Sequence, residues 1–166
     1  YPEKAKQLTA RHVLSHTTGL PNFGPKKAET LSFSDDSKLG EGYSYSGEAF
    51  LYLQRVIEKK MGKDLEALAK EYVFTPLGME RSTFLPQPKN DTNVVAVHTE
   101  LGTPDLIYVG DPPDNAAGSL LTTADDFSKF MAAWLENMDD PTIQQAFAPT
   151  SINNFPTCGL GWHIYR

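Results

Sequence analysis

The fifteen residues GEAFLYLQRVIEKKM, from Gly47 to Met61, constrain the fold of this chain more than any other stretch. Ala49, Phe50, Leu53, Val56 and Ile57 recur at i, i+1, i+4, i+7 and i+8, which is one buried face of a helix. Lys59 and Lys60 suit its C-terminal dipole, and Gly62 is its stop. The same grammar repeats on either side. Thr9 is an N-cap for a short helix with Val13 and Leu14 inward and Gly19 as its end. Asp64 caps a helix with Leu65, Leu68, Ala69 and Tyr72 in period, ended by Pro76, and PLGMERSTF is then a turn leading outward. Thr122 or Thr123 caps another, with Phe127, Phe130, Met131, Trp134 and Leu135 as its stripe. Asp140 followed by Pro141 opens a last short helix to about Phe147. Strand signals are few: Val94–His98, Leu106–Val109, and CGLGWHIYR at the end, which alternates like a strand without a hairpin partner. The expected fold class is mainly α with minor β.

A chain of 166 residues fits one domain with a real core, and 40% apolar and 22% charged residues are the balance of a globular protein. A net charge of −6 without a basic stripe argues against nucleic acid as a partner. Lys26-Lys27 and Lys59-Lys60 read as solvated surface, and no apolar run reaches the length of a membrane span. The single cysteine, Cys158, excludes an internal disulfide and any multi-cysteine metal site. No signal peptide is visible at Tyr1, and the polar lead-in YPEKAKQL without an initiator Met suggests that Tyr1 is not the natural start. Asn90-Asp91-Thr92 matches a glycosylation sequon, a triplet common by chance.

The candidate chemistry is sparse. His12 and His16, four apart, share a face if both are helical, but no HExxH glutamate or third ligand accompanies them, so capping or packing is preferred to metal binding. Asp125 and Asp126 are adjacent and point to different faces, which favours helix capping over a catalytic carboxylate pair. Cys158 reads as a buried or incidental thiol, and Ser15 beside His16 cannot face it within a helix. Residues 20–42, rich in Pro, Gly, Ser and Asp, read as a long loop of the kind that is often functional, and the small-residue turn Asn115–Ser119 is either structural or the lining of a pocket. Tyr45, in GYSYSGEAF at a helix entrance, is the open question. A phenol with a pKa near ~10 is a poor base alone, but beside a lysine it can shuttle a proton to or from a serine. On residues alone it is either that shuttle or a packing tyrosine.

Four segments, in order, bear on the question. LTARHVLSHTTGLP (Leu8–Pro21), YSYSGEAFLYLQRVIEKKMGKDLEALAKEYVFTPLGMERSTF (Tyr43–Phe84), AAGSLLTTADDFSKFMAAWL (Ala116–Leu135) and GLGW (Gly159–Trp162) together resemble the serine β-lactamase and penicillin-binding superfamily. The resemblance is to its class C, D-Ala-D-Ala carboxypeptidase and esterase branch. It implies the helical lobe of that fold plus an edge of its sheet, with 1–166 a single partial domain. The family's nucleophile comes from a Ser-x-x-Lys motif, which this chain does not contain, and its Lys-Thr-Gly-type strand is absent too. The resemblance carries the catalytic tyrosine onto Tyr45 and the substrate-binding positions of Tyr-x-Asn onto Ser46 and Gly47. Glycine at the third position departs from the pattern and removes a side-chain amide.

The resemblance therefore implies a segment of a bacterial-type serine hydrolase acting on an ester, amide or lactam through an acyl-enzyme, inactive as the isolated chain. No cofactor or metal is expected. The implied partner is a small-molecule or peptide substrate (an ester, a D-Ala peptide or a β-lactam), with no nucleic acid and no membrane span. A periplasmic or secreted location is what the resemblance suggests. The first alternative is a non-catalytic module on the same fold that binds peptidoglycan or protein. The second is a self-contained helical protein whose last strand pairs with its own kind.

Overall fold

The computed structural model describes residues 3–23, 31–33, 38–86, 93–95, 98–103, 115–150 and 157–164. The architecture is mainly helical with minor β. A 3₁₀ turn, Glu3–Gln7, precedes α1 (Ala10–Leu14) and the long α2 (Gly47–Met61). Then come α3 (Leu65–Ala69), a π-helical turn Lys70–Phe74 and α4 (Thr75–Leu77), followed by α5 (Ala124–Glu136) and α6 (Pro141–Phe147). β1 (Thr157–Cys158) and β2 (His163–Ile164) close the order. These elements fall into two compact units, one drawn from Tyr1–Met61 and Met131–Arg166, the other from Gly62–Phe130.

In the first unit Ala5, Val13, Leu20, Leu31 and Ala49 form the core, with Leu8, Phe33, Phe50, Tyr52 and Leu53 packed around it. Full burial of a side chain such as Leu20 or Val13 contributes about 1.5–3 kcal/mol. The inward face of α2 is thus its first half; Val56 and Ile57, expected to be buried, are more than 40% exposed. A second cluster joins Trp134, Phe147 and Trp162, with ring centroids 5.0–5.6 Å apart. The expected unpaired terminal strand is instead a hairpin: Thr157 pairs with Ile164 and Cys158 with His163, antiparallel. Its tip is made by the glycines of GLGW. Gly159 donates to the Trp162 carbonyl, and a Cβ at 159 would run into the Ala146 carbonyl oxygen, so α6 leaves no room for a side chain there.

Thr9 caps α1 as expected, its Oγ1 accepting from the His12 amide. The helix ends earlier than Gly19, because His16 takes the left-handed conformation (φ 54°) that usually falls to glycine. The His16 amide donates to Val13 O and the Thr17 amide to His12 O, the paired bonds that close a helix with a left-handed residue. His12 and His16 therefore do not share a helical face.

In the second unit Asp64 caps α3 by accepting from Ala67 N. Pro76 does not end the helix. The wider π turn before it admits a residue with no N–H, and the chain stays helical to Leu77. Gly78 (φ 66°) then stops it, with Met79 N bonded to Phe74 O and both side chains buried. Tyr72, expected inward, is exposed. The following turn leads inward rather than outward, since Ser82 is buried and Thr83 bridges Leu121.

Thr123 caps α5 through the Asp126 amide, and Asp140 caps α6 through the amides of Thr142 and Ile143. Of the strand expectations, Leu106–Val109 lies outside the described residues, as do Ala96 and Val97 of Val94–His98 and the Asn90-Asp91-Thr92 triplet.

Candidate functional site

The segment Tyr43–Gly47 feeds α2, and its first turn shows why it holds one conformation. A helix start leaves backbone donors without intrahelical partners. Here every one of the first four is met. The Ser46 amide donates to His16 Nδ1 at 3.1 Å, and the Gly47 amide to Asn22 Oδ1 at 3.0 Å. The Glu48 amide donates to the Asn22 carbonyl at 2.9 Å, and the Ala49 amide to Ser46 Oγ at 3.0 Å. Ser46 is fully buried, and its hydroxyl in turn donates to the Pro21 carbonyl at 2.8 Å. The HTTGLPN run (His16–Asn22) is thus the cap of α2, supplied from about thirty residues upstream.

Tyr45 projects from this cap. Tyr45 is 51% exposed, and its ring stacks on the His16 imidazole, with centroids 4.5 Å apart and an interplanar angle of 30°. His16 is buried, with Tyr43 edge-on at 5.6 Å and Phe50 tilted at 5.2 Å. Burial pushes the His16 pKa down, and the positive potential of His163 pushes it the same way. An Nδ1 that accepts a hydrogen bond needs its lone pair, so the imidazole is neutral with its proton on Nε2.

Gly47 is fixed by close approach. A Cβ there would stand 2.9 Å from the Asn22 carbonyl oxygen and 3.2 Å from Asn22 Oδ1. The side chain of Asn22 thus occupies the space that a side chain at 47 would need. His16 and Asn22 were not singled out by sequence as partners of Tyr45 and Gly47. The only signal was the HTTGLPN run itself, and pairing it with residues 44–48 needed the fold.

Cys158 is buried, and burial raises its pKa, partly offset by a hydrogen bond with Tyr43. It is a packing thiol, as expected. Asp126 is not a cap of its own helix: it is buried, and accepts from Arg81 N, Ser82 Oγ and Lys129 Nζ at 2.8–3.2 Å. Asp125 is exposed and pairs with Lys129 at 2.9 Å. Asn115–Ser119 is a self-bonded turn, in which Ser119 Oγ accepts from the Asn115 amide and donates to the Asn115 carbonyl. Among the described residues no three His, Cys, Asp or Glu side chains gather to hold a metal ion.

The profile of the family described as Beta-lactamase matches residues 1–166. The chain belongs to the beta-lactamase family. It is 27% identical over 174 residues to Beta-lactamase-like protein 2 of Dictyostelium discoideum, covering 90% of this chain and 31% of that protein. It is 25% identical over 193 residues to Penicillin-binding protein 4* of Bacillus subtilis (strain 168), covering 93% of this chain and 42% of that protein. The chain thus spans less than half of either relative. Among solved structures, a class C beta lactamase superposes with a TM-score of 0.75 at 18% identity, over 97% of this chain and 48% of the other. That similarity shows the fold, the largely helical part of the beta-lactamase fold. Membership in the beta-lactamase family brings with it a serine hydrolase-type scaffold, in which Tyr45 and the α2 cap are the features described above.

Proposed function

We propose that this chain is the tyrosine-bearing segment of a serine hydrolase that cleaves an ester, amide or lactam through an acyl-enzyme. In this reading 1–166 is one partial domain, and the nucleophilic serine and its lysine come from a Ser-x-x-Lys segment outside it. The serine attacks the carbonyl, its proton passes by way of the lysine and Tyr45, and backbone amides hold the oxyanion. Those amides are not the four at the start of α2, which are already bonded. Water then releases the acyl group. Tyr45 is the proton carrier, and Ser46 and Gly47 form the adjoining substrate wall, Ser46 by fixing the backbone from beneath.

The observation that carries this reading is an exposed tyrosine held on an imidazole at a fully capped helix start, in a chain of the beta-lactamase family. Gly47 directs the reading toward ester or atypical peptide substrates rather than efficient β-lactam hydrolysis. Losing a side-chain hydrogen bond to a charged group costs roughly 1.5–3 kcal/mol, and Asn22 leaves no space for a side chain at 47. The same gap suits a second reading, a binding module without catalysis.

Covalent labelling separates them. The folded 166-residue chain, checked by circular dichroism, is treated with a fluorophosphonate and a penicillin and weighed intact. No adduct is expected, and a stoichiometric adduct would place the nucleophile inside the chain and end the proposal. A longer protein joining this chain to a Ser-x-x-Lys serine is expected to take one acyl group. Tyr45→Phe should slow its acylation by roughly 10²–10⁴-fold. An unlabelled longer protein would favour the binding module.

A further inference from the structure

His16 touches the tyrosine segment at three successive residues. Its carbonyl accepts from the Ser44 amide at 2.8 Å, its ring face lies against Tyr45 at 4.5 Å, and its Nδ1 accepts from the Ser46 amide at 3.1 Å. One residue therefore holds the chain on both sides of Tyr45 and supports the ring between. It does so from a left-handed backbone conformation (φ 54°), which is uncommon outside glycine although histidine is among the residues that enter it more readily. Such a conformation persists where surrounding contacts over-determine it, and it is concentrated at functional sites.

We propose that His16 is the positioning residue for Tyr45 and does this work only as a neutral imidazole, so that a proton on Nδ1 unseats the tyrosine segment. The inference rests on Tyr45 as the proton carrier of the proposed reaction. Its physical content is a conflict between donors. Protonation places an N–H on Nδ1, facing the Ser46 N–H, which the start of α2 holds in place. Attraction between an imidazolium and the Tyr45 ring does not relieve that conflict, since the ring must turn or withdraw to part the two hydrogens. Among the described residues, the titratable groups facing His16 are Tyr43 and Tyr45 from the segment before α2, and His163 from β2. From α2 itself the ring meets Phe50, which carries no charge. His163 acts in the same sense as burial, opposing a positive charge on His16.

The test reads structure rather than turnover, so it stands apart from the labelling of the proposed enzyme. In the 166-residue chain, the His16 ring, the Tyr45 ring and the Ser46 amide are followed by NMR as pH falls. The Ser46 and Tyr45 signals are expected to move with the His16 titration, at a midpoint below the ordinary histidine value of about 6.5. The Ser46 protection factor should fall about tenfold across it. His163→Gln should raise that midpoint.

Two variants isolate the bond. His16→Asn keeps a residue tolerant of the left-handed conformation and an acceptor oxygen; it should keep Ser46 protected and abolish the pH dependence. His16→Gly accepts the same backbone without an acceptor, and should leave Ser46 unprotected at every pH. Flat Ser46 and Tyr45 signals through the His16 titration would overturn the proposal, as would equal Ser46 protection in the two variants. If only the catalytic reading of Tyr45 is wrong, Tyr45→Phe leaves acylation unchanged while the NMR coupling remains.

Discussion

Gly47 is where an absent side chain matters most. The Asn22 carbonyl that a Cβ would meet at 2.9 Å is already bonded to the Glu48 amide, so it cannot retreat without loosening the first turn of α2. A flexible side-chain tip would yield cheaply; a bonded backbone oxygen does not. Gly47→Ala is therefore expected to destabilise the chain by about 1–3 kcal/mol, the usual range for forcing extra atoms into a packed site. Gly118→Ala is the control: its nearest neighbour outside the local chain is Asn115 Oδ1 at 4.0 Å, so little change is expected. Urea unfolding midpoints compare the two. Equal shifts would mean that residues 22 and 47 are not in the close contact described.

Helix starts differ in how much depends on their caps. Asp140 is exposed and accepts two amides of α6, so water can replace it. Ser46 is buried and uses its hydroxyl twice, donating to Pro21 O and accepting from Ala49 N. Asp140→Ala should cost about 1 kcal/mol. Ser46→Ala should cost more, about 2–3 kcal/mol, because two groups lose a partner where water does not readily enter. Chemical denaturation of both variants is the check, and a smaller loss for Ser46→Ala would contradict its burial.

This contrast also marks what was legible in sequence. Caps adjacent to their helices (Thr9, Asp64, Asp140) were readable because both partners lie within a few residues. The α2 cap was not, since His16 and Asn22 lie 30 and 25 residues from the amides they satisfy. Periodicity placed α2 closely, as the Asp140-Pro141 start did α6, yet periodicity could not tell that Val56 and Ile57 are exposed, because it finds an apolar face without saying what covers it. The terminal hairpin was missed because CGLGWHIYR was read as a single alternating strand, when Gly159 is a close approach to α6 and Gly161, at φ 80°, is part of a turn. Tyr45 was visible as a residue type in a glycine-flanked turn and through the resemblance of its segment to a Tyr-x-Asn motif, but its support by His16 needed a left-handed histidine that no pattern announces.

At the scale of the molecule, the two compact units carry different acid-sensitive groups. In Gly62–Phe130 two buried carboxylates join elements distant in sequence. Glu66 on α3 accepts from Phe84 N, Thr83 Oγ1 and Lys70 Nζ, and Asp126 on α5 accepts from Arg81 N and Ser82 Oγ. Burial alone would raise both pKa values, but these hydrogen bonds and the lysines Lys70 and Lys129 outweigh it and hold both carboxyls below their ordinary values. The unfolded chain therefore binds protons first as pH falls, so the stability these groups contribute is complete above about pH 4–4.5 and is lost below it. In the other unit His16 also has a lowered pKa, so its contribution is complete above about pH 6.5 and declines as pH drops through its folded value. Acid should consequently act in two windows. Amide exchange read residue by residue from pH 7.5 to 3.5 should show protection around Ser44–Ala49 falling first, below about pH 6.5. Protection around Thr83–Phe84 and Arg81–Ser82 should hold until roughly pH 4. Simultaneous loss in both units would mean that a single cooperative transition dominates, and that His16 is not the first group acid reaches.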